Sequence, residues 1–465
     1  MIHNFTKKLH TNLFMRRIIF SIISILISAH YLIAQDHAIV KLSLQECLQT
    51  ALDKNVDIQT AILDQQKSEY KVKESRSVLL PQIDVNGNIT DNLQLPVTII
   101  PGSFLGKPGS NYSIAMGSTY NVSPNITIRQ ELYNQTKLTA LKLSNKENAL
   151  QHMQTQKTKE NLVYDIAKLY FSALTTGKQK QLDEENLART QQLKEITLAL
   201  VKSGINKEVD YDRVCVNLEN LHTDLSNTEA TLEQQQNMIK YMLGLSLDTR
   251  LSLTDSIEMP FFASIPPLIT DFNNHTDIKI LEAQKEISLL TQKKIANGYL
   301  PTLSFTGQFE YLGLRQNFSN YFRNSTENNW YPSSYIGINL SIPVFDGMGK
   351  NAQLRQSKVD YKENVLKLEN TKEKYSADYK NAVNNFQNQQ ENVKRQKDNV
   401  ALAEKIYQET TLQYRQGEVA ISTLLQDEMD MNNAQASYIK ALYDLKISIL
   451  DMVSLNGDLK KLINK

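Results

Sequence analysis

The residues of this 465-residue chain that could do chemistry each lack a necessary neighbour. Gly102-Ser-Phe-Leu-Gly106-Lys107 has three residues between its glycines where a phosphate-cradling loop needs four, and Pro108 stands where a Ser or Thr hydroxyl would meet Mg²⁺. Gly347-Met-Gly349-Lys350 lacks the third glycine of a dinucleotide turn. The histidines, at 3, 10, 30, 37, 152, 222 and 275, include no i, i+4 pair, so a His-based metal site is not expected. Cys47 and Cys215, the only cysteines, are too few for a Cys-rich metal module or a disulfide scaffold, and they are expected to be unpaired. Paired carboxylates are common on helical stretches, but interleaved lysines make them solvated faces. The expectation is a protein that is not an enzyme and carries no cofactor or metal.

Composition excludes further classes. Lys+Arg is 51 and Asp+Glu is 50, so nothing in the balance favours neutralising phosphates, and no nucleic-acid partner is expected. With 16 Gly and 11 Pro the chain is too poor in turn formers for a sandwich or propeller. Only the N-terminus is apolar enough to span a bilayer as a helix, which excludes a multi-span carrier. There, Lys7, Lys8, Arg16 and Arg17 precede an apolar run, Ile18 to Ile27, and small or polar residues follow to Ala34-Gln35. That order predicts a secretory signal over 1–34, with Leu32 an imperfect fit to the cleavage site and Met15 an alternative start. The apolar run is short for a permanent anchor, and no cysteine follows it for lipidation.

The elements follow from where proline and glycine fall. All prolines lie within 81–124, 260–267 and 301–343, so 125–259 and 344–465 have none. Both Pro-free stretches are rich in Lys, Glu, Gln, Leu and Ala and predict very long helices, each interrupted once by a glycine turn. They are also copies. Gly204 to Gly244 spans 40 residues, as does Gly417 to Gly457, at a shift of 213. Tyr211, Leu218, Leu225, Leu232 and Ile239 recur every seven residues, and so do Leu424, Met431, Tyr438, Leu445 and Met452. Sevens in phase at one shift predict coiled-coil packing in both copies. Earlier parts repeat at a shift of 220: Leu80-Pro81 with Leu300-Pro301, Gly87 with Gly307, Asp57-Ile58 with Asp277-Ile278. The expected organisation is two repeats, 42–258 and 267–460, each a helix, two strands and a long helical hairpin.

The strands show as period-two alternation. Ile83, Val85, Gly87 and Ile89 alternate with Asp84, Asn86, Asn88 and Thr90, and Leu303, Phe305, Gly307 and Phe309 with Ser304, Thr306 and Gln308. Returning strands are expected within 112–128 and 335–344, after long loops at 91–111 and 312–333, the second carrying Trp330 and Tyr331 as candidate interface aromatics. Strands of about ten residues with one apolar and one polar face suit a membrane barrel. Four strands cannot close one, and lipid forbids open edges, so the chain is expected to oligomerise. The long arms, 134–203 and 346–416, would each run about 105 Å, matched by the two shorter helices of the same repeat stacked end to end.

This layout resembles the outer membrane efflux protein family, the TolC-like channels, over essentially the whole mature chain. The matching stretches are Leu42-Ser-Leu-Gln-Glu-Cys-Leu-Gln-Thr-Ala-Leu52 with Asn55, Leu79-Leu-Pro-Gln-Ile83, Tyr299-Leu-Pro-Thr-Leu303, Ile342-Pro-Val-Phe-Asp-Gly347, and Tyr414-Arg-Gln-Gly417 followed by Leu424-Leu425. The resemblance implies a mainly α fold with a β-barrel part: a homotrimer with a twelve-stranded barrel in the lipid of the outer membrane of a Gram-negative bacterium, continued by a periplasmic α-helical tunnel. It implies docking onto a periplasmic adaptor (membrane fusion protein) and an inner-membrane RND or ABC transporter, for which the chain is a passive exit duct. On that reading Gly204 and Gly417 turn the helices at the periplasmic tip, and Tyr414 lies at the adaptor contact. Relatives ring the aperture with acidic residues six and nine places after the second glycine; here those places hold Thr423 and Gln426. Asp427 and Asp430 lie nearby and Asp210 is six after Gly204, so these five are the candidate aperture, with a charge pattern that departs from the family's.

Two other readings compete. A periplasmic coiled-coil scaffold or adhesin would explain the helices but has no use for four alternating strands. A protein-secretion duct differs from a small-molecule duct mainly in its pump, and the sequence does not separate them.

Overall fold

The computed structural model describes residues 39–106, 108–258, 272–323 and 329–463. The export signal read at 1–34 lies outside the described residues, and no described helix is long and apolar enough to cross a membrane. The chain divides into two compact units. One comprises residues up to 59, 158–270 and 376 onward, and the other 60–157 and 271–375.

In chain order the elements are β1 (Val40–Leu42), α1 (Leu44–Lys54), α2 (Val56–Ser77), β2 (Gln82–Asp91), β3 (Val97–Pro101), β4 (Asn111–Ala115), β5 (Tyr120–Tyr133), α3 (Gln135–Lys202) and α4 (Glu208–Met242). Then follow β6 (Leu251–Leu253), α5 (Thr276–Ala296), β7 (Thr302–Arg315), β8 (Trp330–Ser341), α6 (Gly349–Gln416), α7 (Ile421–Leu455) and a last turn, α8 (Lys460–Ile463). The duplication is visible in the lengths. α3 and α6 have 68 residues each, and α4 and α7 have 35 each. A 68-residue helix is about 100 Å long at 1.5 Å per residue.

Each of these four helices stops at a glycine in the left-handed region: Gly204 (φ 77°), Gly244 (64°), Gly417 (75°) and Gly457 (69°). The residue after each glycine donates its N–H to the carbonyl five residues back, as Ile205 does to Leu200 (3.0 Å) and Glu418 to Gln413 (2.9 Å). This is the Schellman stop, and only glycine enters that conformation without a Cβ clash.

Three expectations need correction. The single helix expected to open the first repeat is two helices, α1 and α2. Ser43 starts α1 with a capping box, its hydroxyl accepting from Glu46 N while Ser43 N donates to Glu46 Oε2 (2.8 Å). Asn55 then leaves helical geometry (ψ 132°), its Oδ1 accepts from Asp57 N (2.8 Å) to start α2, and its Nδ2 donates to Met242 O (2.9 Å). The first returning strand is Tyr120–Tyr133 rather than 112–128, because part of that stretch forms a separate two-stranded ribbon, β3 with β4. The second returning strand begins at Trp330 rather than 335.

In the first unit, the core gathers Cys47, Leu48, Ala51, Val163, Ile166, Tyr170, Ile239, Leu243 and Leu450, all almost fully buried. β1 and β6 pair in parallel beside it. Asp255 accepts from Leu44 N and from the Tyr170 hydroxyl, both at 2.9 Å, tying the start of α1 to α3. All ten heptad residues named from the sequence are buried or half-buried. Both cysteines are free thiols. In the second unit, β2-β5-β7-β8 form one sheet in that order, antiparallel throughout.

Candidate functional site

The sheet of the second unit separates its side chains by chemistry. Register places Ile83 opposite Ile128, Val85 opposite Ile126, Ile126 opposite Phe309, Phe305 opposite Ile338 and Leu303 opposite Leu340, all on one face. The other face carries Asp84, Asn86, Asn125, Thr127, Arg129, Gln308, Tyr335 and Asn339. Cross-strand contacts hold that polar face: Asn86 Nδ2 to Asn125 Oδ1 (3.4 Å), the Tyr335 hydroxyl to Gln308 Oε1 (3.1 Å), and Arg129 4.0 Å from Asp84.

Neither face is covered by the chain's own residues at the edges. Every residue of β8 is exposed, Ile336 by 80% and Ile338 by 68%, and Val85 in β2 is exposed by 75%. In water such an apolar face would be an aggregation hazard; against lipid tails it is the favourable side. The unpaired edges are β2 and β8. Because neighbours alternate in direction along four strands, β8 of one copy meets β2 of another as an antiparallel pair, so identical copies can continue the sheet head to tail.

At the loop end of β7 and β8, Arg315 is 1% exposed and lies over the rings of Tyr321 (4.9 Å) and Trp330 (5.8 Å), donating to the carbonyls of Leu314 and Asn329. Trp330, read as a loop aromatic, is thus the first residue of a strand and part of a packed cluster. Gly313 opposite it is tightly packed, since a Cβ there would lie 3.0 Å from both the Trp330 and Tyr321 rings and one of them would have to shift.

The second region is where α3 turns into α4 and α6 into α7, within the first unit. Gly204 and Gly417 occupy the turns, as the sequence predicts. Leu193, Val214, Tyr414, Ile421 and Leu424 form a small apolar core beneath them. Tyr414 is 3% exposed and its hydroxyl is 3.1 Å from Thr197 Oγ1 and 2.8 Å from the Asn206 amide, which donates to it. Its side chain is therefore engaged inside its own chain.

The five aperture candidates lie on two helices, α4 and α7. Asp210 stands in the first turn of α4, accepting from Lys207 N (3.4 Å) with Arg213 3.7 Å away. The others lie along the start of α7. Thr423 and Gln426 are exposed, Gln426 donates to Asp430 (3.1 Å), and Asp427 accepts from the Thr410 hydroxyl. Asp427 and Asp430 border a groove of about 420 Å³ with Leu402 and Ile406. Sequence reasoning missed Glu428, which is fully buried with Thr190 and Asn217 as hydrogen-bond partners. The available signal was its place on the apolar stripe, four residues after Leu424 and three before Met431. Among the described residues no cluster of three or more His, Cys, Asp or Glu could hold a metal.

An uncovered apolar sheet and Schellman-stopped helical hairpins in one chain define a protein that meets lipid with strands rather than helices. The chain belongs to the outer membrane efflux protein family, which matches residues 47–245 and 279–458, and its place is the outer membrane. It is 22% identical to outer membrane protein TolC of Salmonella enteritidis over 446 residues, covering 90% of this chain and 85% of that one. Among solved structures it resembles the Campylobacter jejuni CmeC outer membrane channel (TM-score 0.74, 15% identity, 89% of this chain and 85% of that chain). It also resembles the Neisseria gonorrhoeae MtrE outer membrane channel in its open state (TM-score 0.72, 16% identity, 90% and 89% of the two chains).

Proposed function

We propose that this chain is the outer-membrane exit duct of a tripartite efflux or secretion system, working as a homotrimer. Three copies supply twelve strands, each β8 pairing with the next copy's β2, with the Ile/Val/Phe face toward lipid and the Asn/Thr/Gln face toward a water-filled lumen. The helical hairpins reach into the periplasm, and their Gly204 and Gly417 turns meet a periplasmic adaptor. An inner-membrane RND or ABC transporter supplies the energy. The duct performs no covalent chemistry, and its candidate aperture comprises Asp210, Thr423, Gln426, Asp427 and Asp430. The two repeats, 42–258 and 267–460, follow an export signal at 1–34.

The observation that carries this reading is the all-antiparallel sheet with one apolar face and two unpaired edges. A scaffold or adhesin in water would have no means to keep it in solution. The test is direct. Full-length protein should fractionate with the outer membrane, run as a heat-modifiable oligomer, appear as three-fold rings by electron microscopy and conduct ions in planar bilayers. Soluble monomers, or solid rods without a central opening, would overturn it.

A further inference from the structure

Glu428 is 0% exposed, on α7, at a point where the long helices of the first unit meet. Its Oε1 is 2.7 Å from Thr190 Oγ1 on α3 and its Oε2 is 3.1 Å from Asn217 Nδ2 on α4. Tyr407 on α6 faces it as well, with Arg189 of α3 5.9 Å from the Tyr407 ring centre. One carboxyl on α7 thus meets groups from the other three helices that flank the two glycine turns.

Thr190 Oγ1 is also 3.0 Å from Asn186 O. A hydroxyl has one proton and cannot fully serve both oxygens. Both contacts are satisfied at once when Glu428 carries a proton of its own. The carboxyl O–H then donates to Thr190, Thr190 donates to Asn186 O, and Asn217 donates to the carboxyl's other oxygen.

We propose that Glu428 is a neutral carboxylic acid in the packed tip and a proton-dependent latch, so that opening the tip to water releases its proton. This rests on the duct reading for what opening means, but not for the protonation itself. The groups facing Glu428 agree with it. Burial raises its carboxyl above the ordinary range, and the Thr190 hydrogen bond, the Arg189 charge and the Asn217 hydrogen bond only partly oppose that. α6 presents the Tyr407 phenol, itself raised chiefly by burial, and α4 presents the neutral Asn217 amide. Arg189 spends its guanidinium on Asn186 Oδ1 and the Tyr407 ring, acting on Glu428 through space.

The sign follows. The packed tip holds a proton that a solvated Glu428, with a pKa of about 4.3, would lose. The packed state is therefore favoured fully below the solvated value, and its advantage fades as pH rises toward the raised one. Between the two, each unit of pH shifts the opening equilibrium up to about tenfold per copy, since one proton leaves per copy.

The experiment uses the purified full-length protein from pH 5 to 9. Infrared titration should show a protonated carboxylic acid band that persists above the ordinary glutamate value of about 4.3, fades at higher pH and is missing from Glu428→Gln. Hydrogen exchange of peptides covering 186–217 and 407–431, corrected for intrinsic rates, should lose protection with rising pH in the native protein. Glu428→Gln, whose amide can still donate to Thr190, should stay protected and flat. An acid band that titrates at or below the ordinary glutamate value of about 4.3, or the same pH profile for both proteins, overturns the inference. Should Glu428→Gln not assemble, Asn217→Leu removes a donor to the carboxylate and must move the titration midpoint upward; an unmoved midpoint overturns it equally. Bilayer currents separate the two claims. A protein that never conducts defeats the duct reading, while the titration and exchange still decide Glu428.

Discussion

Asn206 donates a 2.8 Å hydrogen bond to the Tyr414 hydroxyl oxygen, joining the first helical turn to the second across 208 residues of sequence. Because Asn206 supplies the donor, the phenol's own proton is free for Thr197, 3.1 Å away and fully buried. The result is a relay, Asn206 to Tyr414 to Thr197, that holds the turn after α3 against the end of α6.

Tyr414→Phe keeps the ring in its apolar core and removes both bonds. Leaving buried Thr197 unsatisfied costs about 1–3 kcal/mol. The expected outcome is an assembled protein with faster proteolysis and hydrogen exchange near 200–206 and 414–420, with no change in strand peptides.

Gly204→Ala and Gly417→Ala each place a Cβ in a left-handed residue, at about 1–2 kcal/mol. Open space surrounds both positions, so the cost is backbone strain rather than collision. Gly177, inside α3 and also in open space, is the control: Gly177→Ala should stabilise by about 0.5–1 kcal/mol. Thermal unfolding of the three variants checks the opposite signs.

These glycines show what the sequence makes legible. The Pro-free stretches, the 40-residue glycine spacing and the in-phase sevens all come from local rules, namely where a helix stops and which stripe it buries. The β3–β4 ribbon was hidden because Pro96, Pro101 and Pro108 make 91–111 read as loop, yet Pro101 ends β3 where a missing N–H costs nothing to a two-stranded ribbon's outer edge. The break at Asn55 depends on Met242, 187 residues away, and no local window contains it. Glu428 went unseen for the same reason, since its burial is decided by Thr190 and Asn217 on other helices.

Adjacent residues of β8 should respond oppositely to charge. Ile338 lies on the apolar face and Asn339 on the polar one. Ile338→Lys is expected to cost about 2–4 kcal/mol near the bilayer midplane and to deplete the outer-membrane fraction. Asn339→Lys should assemble normally and alter only ion selectivity, read as a reversal potential.

Acid should loosen the second unit at Asp277. Burial opposes its charge, but hydrogen bonds from Lys157 (2.8 Å) and Tyr375, with the charge of Lys157, outweigh it and hold the carboxyl below its ordinary range. A depressed carboxyl stabilises the fold above its unfolded pKa and loses that contribution as pH falls through the folded value. Lys157→Met should flatten the acid limb of the stability curve, measured by denaturation between pH 2 and about 5, where carboxylates titrate.

Burial pushes the Cys47 thiol up to about 12. Only thiolates alkylate readily, so Cys47 should resist maleimide at pH 8 in the folded protein and react once denaturant is added. Peptide mapping of the modified cysteine gives the readout.

The edge strands β2 and β8 place a demand on biogenesis. In the homotrimer proposed above, every newly made subunit would carry two sticky borders and a greasy flank at once. Its maturation would then be a collision-limited event whose rate depends on how many siblings are present. Sparse synthesis would strand orphans, and any escort would have to shield those borders until the proposed ring is complete.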